Sequence, residues 1–272
     1  MDIICMRIGF FDSGLGGLLI FKSVIRRLPQ YDYLYLGDTK RVPYGNRSQK
    51  TIYQFTKKAV DYLFSKNCQL VVLACNTASA LALRKIQKEY LPKYYPAKRV
   101  LGVIVPTIEA ALENGQSKRI GVLATQSTAA SKVFVKELKK INPKLKVFQQ
   151  AAPLLVPLVE NNGIKWAGPI IKEYLKPLLK KKVDAIILGC THYPILKNKI
   201  RQMAGKNIAV LSQDEIIPAK LQDYLARHPE IEKRLGKYGE RIFLVTDITK
   251  NFQTTAKKWL GRNISLKLIN LD

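Results

Sequence analysis

Leu70-Val71-Val72-Leu73-Ala74-Cys75-Asn76-Thr77 is the stretch that decides the fold. Five apolar residues without polar alternation describe a strand buried on both faces, as in the middle of a parallel sheet. The run ends at a cysteine and two hydrogen-bonding residues, and a helical pattern follows over Ala78–Tyr90. Ala185-Ile186-Ile187-Leu188-Gly189-Cys190-Thr191-His192 repeats the arrangement. Upstream, at nearly equal distances, Arg7-Ile8-Gly9 opens one strand and Arg119-Ile120-Gly121 opens another. The chain thus reads as two similar α/β halves, each presenting a cysteine at the C-terminal end of a strand. In open α/β sheets that edge is where ligands bind.

Short apolar runs alternate with amphipathic ones along the rest of the chain. The strand candidates are 8–11, 33–36, 70–74, 100–105, 119–123, 146–149, 185–188, 208–211, 242–245 and 264–268. Helical patterns cover 15–28, 48–65, 78–90, 130–141, 165–179, 216–225 and 250–260. This alternation predicts an α/β protein of two pseudo-symmetric domains with mostly parallel sheets and a central cleft between them. The expected division is 1–101 plus 212–272 for the first domain and 102–211 for the second. The strands at 242–245 and 264–268 otherwise lack a sheet.

The 272 residues include 46 basic and 20 acidic ones, a net charge of +26. The basic residues are mostly lysine and spread along the chain. Runs such as Lys180-Lys181-Lys182 sit at the ends of amphipathic patterns, where they read as solvated faces and helix C-termini. Weak, salt-dependent, non-specific nucleic-acid binding is expected of such a surface. Four widely spaced cysteines without a CxxC pair argue against a disulfide framework or zinc ribbon and fit a reducing cytosol. No signal peptide and no run near the ~20 apolar residues of a membrane helix is visible, so the expected location is cytoplasmic.

Asp12-Ser13-Gly14-Leu15-Gly16-Gly17 follows the first strand and opens a helix. It reads either as a backbone cradle for an anion or as a tight turn capped by Asp12 or Ser13. Pro43-Tyr44-Gly45 is turn chemistry on its own. Cys75 and Cys190 are the stronger signals. Each sits among hydrogen-bonding residues at a strand end, where a following helix N-terminus can lower a thiol's pKa. His192 lies two residues past Cys190. Cys5 and Cys68 lack such context and read as structural. No spacing suggests a metal site.

Together, Asp12–Gly17, Pro43–Gly45, Cys75–Thr77, Ala124-Thr125 with Thr128 and Ser131, Pro153–Glu160 and Gly189–Pro194 resemble the glutamate racemases of the aspartate/glutamate racemase superfamily. The combination of DSGxGG and GCTHYP is specific; racemases of aspartate and hydantoins share the cysteines but not this pair of motifs. The resemblance implies glutamate buried between two domains, held by Asp12, Ser13, Pro43, Tyr44, Gly45, Asn76, Thr77, Thr191 and His192. It implies Cys75 and Cys190 as the acid/base pair, Asp12 assisting Cys75, and His192 and Glu160 assisting near Cys190. It further implies action without a cofactor or metal, a homodimer, and supply of D-glutamate for peptidoglycan, hence for the cell wall and cell shape. Departures from the family's usual pattern are Thr107 after Pro106, Ala152 before Pro153, and Ser127 before Thr128. Two alternatives stay open: an aspartate racemase, and a binding protein on a racemase scaffold that uses its basic surface.

Overall fold

The computed structural model describes residues 6–113, 117–261 and 264–271. Cys5 lies outside them. Among the described residues, ten strands form two separate, all-parallel sheets. The first contains β1 (Arg7–Asp12), β2 (Tyr33–Gly37), β3 (Cys68–Leu73), β4 (Arg99–Gly102), β9 (Arg241–Val245) and β10 (Leu266–Leu268), in the order β10-β9-β2-β1-β3-β4. The second contains β5 (Arg119–Ala124), β6 (Lys146–Ala151), β7 (Ala185–Gly189) and β8 (Ala209–Leu211), in the order β6-β5-β7-β8. The order 2-1-3-4 recurs as 6-5-7-8, so the short Arg-Ile-Gly repeat marks a real duplication of topology.

Strand alternation sends neighbouring side chains to opposite sides of a sheet. Ile8 and Phe10 enter one apolar layer with Tyr33, Tyr35, Leu70 and Val72. Phe11 enters the other with Leu34, Leu36, Val71 and Leu73. The smaller sheet divides likewise, with Leu123, Ile186 and Leu188 on one side and Ile120, Val122 and Ile187 on the other. Every residue of β2, β3 and β7 is buried, which matches their largely apolar sequences; the buried Gln69 of β3 donates to the Ala97 carbonyl at 2.7 Å.

Three expectations need correction. The run 100–105 is not one strand: β4 ends at Gly102 and a helix begins at Ile104. Short apolar runs do not distinguish strand from buried helix by period. The pattern 78–90 belongs to an irregular helical stretch, 76–94, with a π-helical turn at Ile86–Tyr90. The pattern 130–141 is broken at Lys132, whose φ of 54° is left-handed. Basic residues do occupy last helical turns: Arg26 and Arg27, Lys139 and Lys140, Lys180, and Lys257 and Lys258. Among the described residues no helix is long and apolar enough to cross a membrane.

Candidate active site

β3 and β7 are corresponding strands, and each runs out beside a cysteine. Cys75 stands two residues past the end of β3, and Cys190 immediately follows β7. Both thiols are buried and line one cavity of about 300 Å³. Its walls also include Ser13, Pro43, Tyr44, Gly45, Asn76, Thr77, Glu160, Thr191 and His192. The residues come from both halves of the chain, and the volume suits one small ligand.

The two thiols have unlike neighbours. Cys75 donates to Ser13 Oγ at 3.4 Å. Burial, together with the nearby Asp12 carboxylate, pushes its pKa up to about 12, outweighing Ser13 and the Ala78 N–H. The lowering expected from the following helix is therefore reversed; that helix, Asn76–Leu81, is only six residues long. Cys190 Sγ lies 3.8 Å from His192 Nδ1, and His192 Nε2 lies 2.9 Å from Glu160 Oε1. Burial alone would favour neutral imidazole. Cys190 and Glu160 overcome it and raise the pKa of His192 to about 10. One half thus surrounds its thiol with a hydroxyl and a carboxylate. The other backs its thiol with an imidazole–carboxylate pair.

Asp12 is fully buried and is not among the cavity-lining residues. Its Oδ2 accepts from Gly14 N at 3.0 Å. Burial raises its pKa, opposed chiefly by the charge on His192. The Asp12 carboxylate is felt at Cys75, whose pKa it helps to raise. Tyr44 contributes its ring and backbone, because its hydroxyl donates to Asp38 Oδ2 at 2.5 Å. Burial and Asp38 push that phenol far above its ordinary range.

The glycines of the first motif do not form an open anion cradle. A Cβ on Gly16 would lie 2.4 Å from Thr191 Oγ1 and 2.7 Å from His192 Nδ1. A Cβ on Gly17 would lie 2.4 Å from that of Asp12. Gly16 is therefore where the first half's backbone presses on the second half's Thr191-His192 pair. Gly45 plays a like part: a Cβ there would meet Thr125 Cβ at 2.9 Å, and its carbonyl accepts from Ser127 N at 2.8 Å.

Thr125, Gln126, Val42, Asn46, Pro153, Val156, Pro157 and Asn161 also line the cavity and were not selected from sequence as site residues. The internal repeat could have found Thr125. It follows β5 as Ser13 follows β1. Its hydroxyl lies 3.1 Å from that of Thr77 and 2.9 Å from that of Thr128. Among the described residues no group of three or more His, Cys, Asp or Glu is arranged to hold a metal ion. Cys68 is buried in β3 and takes no part in the cavity.

Two halves of like topology, each delivering a thiol to one cavity lined by the hydroxyl-bearing Ser13, Thr77, Thr125 and Thr191, describe a pseudo-symmetric α/β enzyme of the amino-acid racemase class. The Asp/Glu/Hydantoin racemase family profile matches residues 19–213, and the chain belongs to that family. It is similar to the glutamate racemase of Dinoroseobacter shibae, 37% identical over 97% of this chain and 99% of that protein. In three dimensions it is similar to glutamate racemase isoform RacE1 from Bacillus anthracis, with a TM-score of 0.89, 33% identity and 98% of each chain covered. It is also similar to the Francisella tularensis glutamate racemase in complex with D-glutamate, with a TM-score of 0.87, 31% identity and 98% of each chain covered.

Proposed function

We propose that this racemase interconverts L- and D-glutamate by proton transfer between Cys75 and Cys190, without a cofactor. The observation that carries the reading is the placement of both thiols, from corresponding strand ends, on one ligand-sized cavity. The α-proton of an amino acid is a weak acid, and inversion needs a base on one face and an acid on the other. One thiolate takes the α-proton, leaving its electron pair on the substrate, and the opposite thiol returns a proton to the other face. The roles exchange in the reverse direction.

Cys75 serves D-glutamate and Cys190 serves L-glutamate, the assignment the family resemblance implies. Asp12 tunes Cys75, while His192 and Glu160 carry a proton to or from Cys190. Hydroxyls of Ser13, Thr77 and Thr191, with the backbone of Pro43, Tyr44 and Gly45, surround the amino acid's charged groups. Hydrogen-bond donors near its carboxylate stabilise the charge that builds there as the proton leaves. The substrate's ammonium group, once bound, supplies a positive charge that opposes the rise in the Cys75 pKa.

The experiment is incubation of purified protein with L-glutamate in deuterated water. D-Glutamate carrying deuterium at the α-carbon is the expected product. No exchange and no D-glutamate would contradict the reading, and comparable turnover of aspartate would move it to that substrate. On the same reading the protein works in the cytoplasm as a homodimer and supplies D-glutamate for peptidoglycan; sedimentation tests the dimer.

A further inference from the structure

Gln213 belongs to no motif and is wholly buried at the start of the helix Gln213–Arg227, which follows β8. Its carboxamide is paired with that of Asn76 in both directions. Asn76 Nδ2 donates to Gln213 Oε1 at 2.7 Å, and Gln213 Nε2 donates to Asn76 Oδ1 at 2.8 Å. Asn76 lines the cavity beside Cys75, whereas Gln213 stands behind it. A carboxamide has two N–H donors and an oxygen with two lone pairs. The reciprocal pair uses one of each, so Asn76 keeps one N–H and one lone pair for a ligand.

The support is itself anchored. Ser212 Oγ donates to Asp214 Oδ1, and Lys197 Nζ lies 3.3 Å from Asp214 Oδ2 and 2.7 Å from Glu215 Oε1. These contacts fix the first turn of the helix that carries Gln213. A lone Asn side chain turns about its last torsion with a broad, roughly two-fold preference. Held at both polar ends, Asn76 cannot do so without breaking two buried hydrogen bonds.

We propose that Gln213 is a positioning residue for substrate binding: it holds the Asn76 carboxamide so that its remaining N–H and oxygen face the amino and carboxylate groups of the bound amino acid. This rests on the glutamate reading above. A contact made equally to substrate and transition state governs KM rather than kcat.

The test uses the full-length protein. Gln213→Met keeps length and volume but removes both hydrogen bonds. KM for glutamate should rise about tenfold, as expected for an unpaired buried partner, with kcat within about twofold. Gln213→Glu supplies a second readout. An ionised carboxylate accepts from Asn76 Nδ2 but cannot donate to Asn76 Oδ1. KM should therefore approach the wild-type value at acid pH and climb as that carboxyl ionises, a limb the wild type lacks. In an Asn76→Ala background, Gln213→Met should add nothing, because the effect passes through Asn76. An unchanged KM in both variants, or additive effects in the double variant, would overturn the proposal. Hydrogen exchange separates it from the substrate assignment. Without ligand, the Asn76 carboxamide proton bonded to Gln213 should exchange slowly in wild type and fast in Gln213→Met. Equal exchange overturns the positioning role whatever the substrate, while absence of glutamate turnover by wild type overturns only the substrate.

Discussion

At the scale of single residues, the site is asymmetric in its proton chemistry. Against burial, Cys190 and Glu160 push the pKa of His192 up to about 10, from an ordinary 6.5. A cationic group with a raised folded pKa stabilises the fold fully below its unfolded pKa, and that stability is lost as pH rises through the folded value. Thermal stability should therefore fall between about pH 6.5 and 10, and His192→Gln should flatten this part of the curve. Cys68 and Cys75, both pushed up to about 12, add to the loss only above their ordinary value of 9.0. A melting temperature that rises across pH 6.5–10 would contradict the assignment. Glu160→Gln keeps the side chain's shape but removes the charge beside His192. It should lower kcat from L-glutamate by about tenfold, a fraction of the 10²–10⁴ typical of acid–base groups, as separate initial rates from each enantiomer would check. Cys75 and Cys190 were legible in sequence because each follows closely on an apolar run, 70–74 and 185–188. Gln213 was not, since its partner lies 137 residues away and side-chain pairing leaves no period in a sequence.

Among the elements, strands buried on both faces were legible through apolar runs such as 70–73 and 185–188, with Gln69 the polar residue of β3. The exception, Val103-Ile104-Val105, is apolar for a different reason: it enters a helix whose Thr107 hydroxyl donates to the Val103 carbonyl at 2.6 Å. That bond satisfies the hydroxyl of the fully buried Thr107. The glycine motif was legible as a feature but not in its purpose, because the contact that requires Gly16 comes from the other half of the chain. Gly16→Ala must displace Thr191, whose carbonyl carbon would lie 2.6 Å from the new Cβ. Such overpacking costs about 1–3 kcal/mol, and the Cys190 loop should move with it. Urea unfolding and kcat should both register the change. Gly168→Ala is the contrast: its Cβ would meet only Met203 Cε at 3.5 Å, inside the helix Ala167–Lys180. It should leave activity unchanged and stability equal or higher by up to about 1 kcal/mol.

For the whole molecule, the net charge is +26, and among the described residues no Lys or Arg lines the cavity. Lysines in exposed pairs such as Lys85–Glu89 and Lys176–Glu173 stand along helices. DNA should bind weakly and without sequence preference, losing affinity steeply with salt, and should not alter glutamate turnover at physiological ionic strength. Filter binding across a salt series, with turnover measured alongside, checks this; selective binding that survives 200 mM salt, roughly physiological or above, would point to a second role. The sheets explain why the halves behave as a pair. The same strand order occurs twice, and β9 and β10 extend only the first copy. We propose the division 1–101 plus 212–272 against 102–211 on that basis. Duplication gives two like strand ends, and each brings a thiol to one cavity; the proposed mechanism sets those thiols on opposite faces of a planar reaction centre.

That opposition is tested most directly by a substrate analogue carrying a leaving group at the β-carbon. Removal of its α-proton expels the leaving group with its bonding electrons and forms a double bond, so one base suffices and the half-reactions separate. Cys75→Ser should eliminate from the L form only, and Cys190→Ser from the D form only, each at a rate near wild type for the enantiomer it retains. If both variants processed both enantiomers equally, a single base or a water-mediated route would be at work, and the two-thiol account would be wrong.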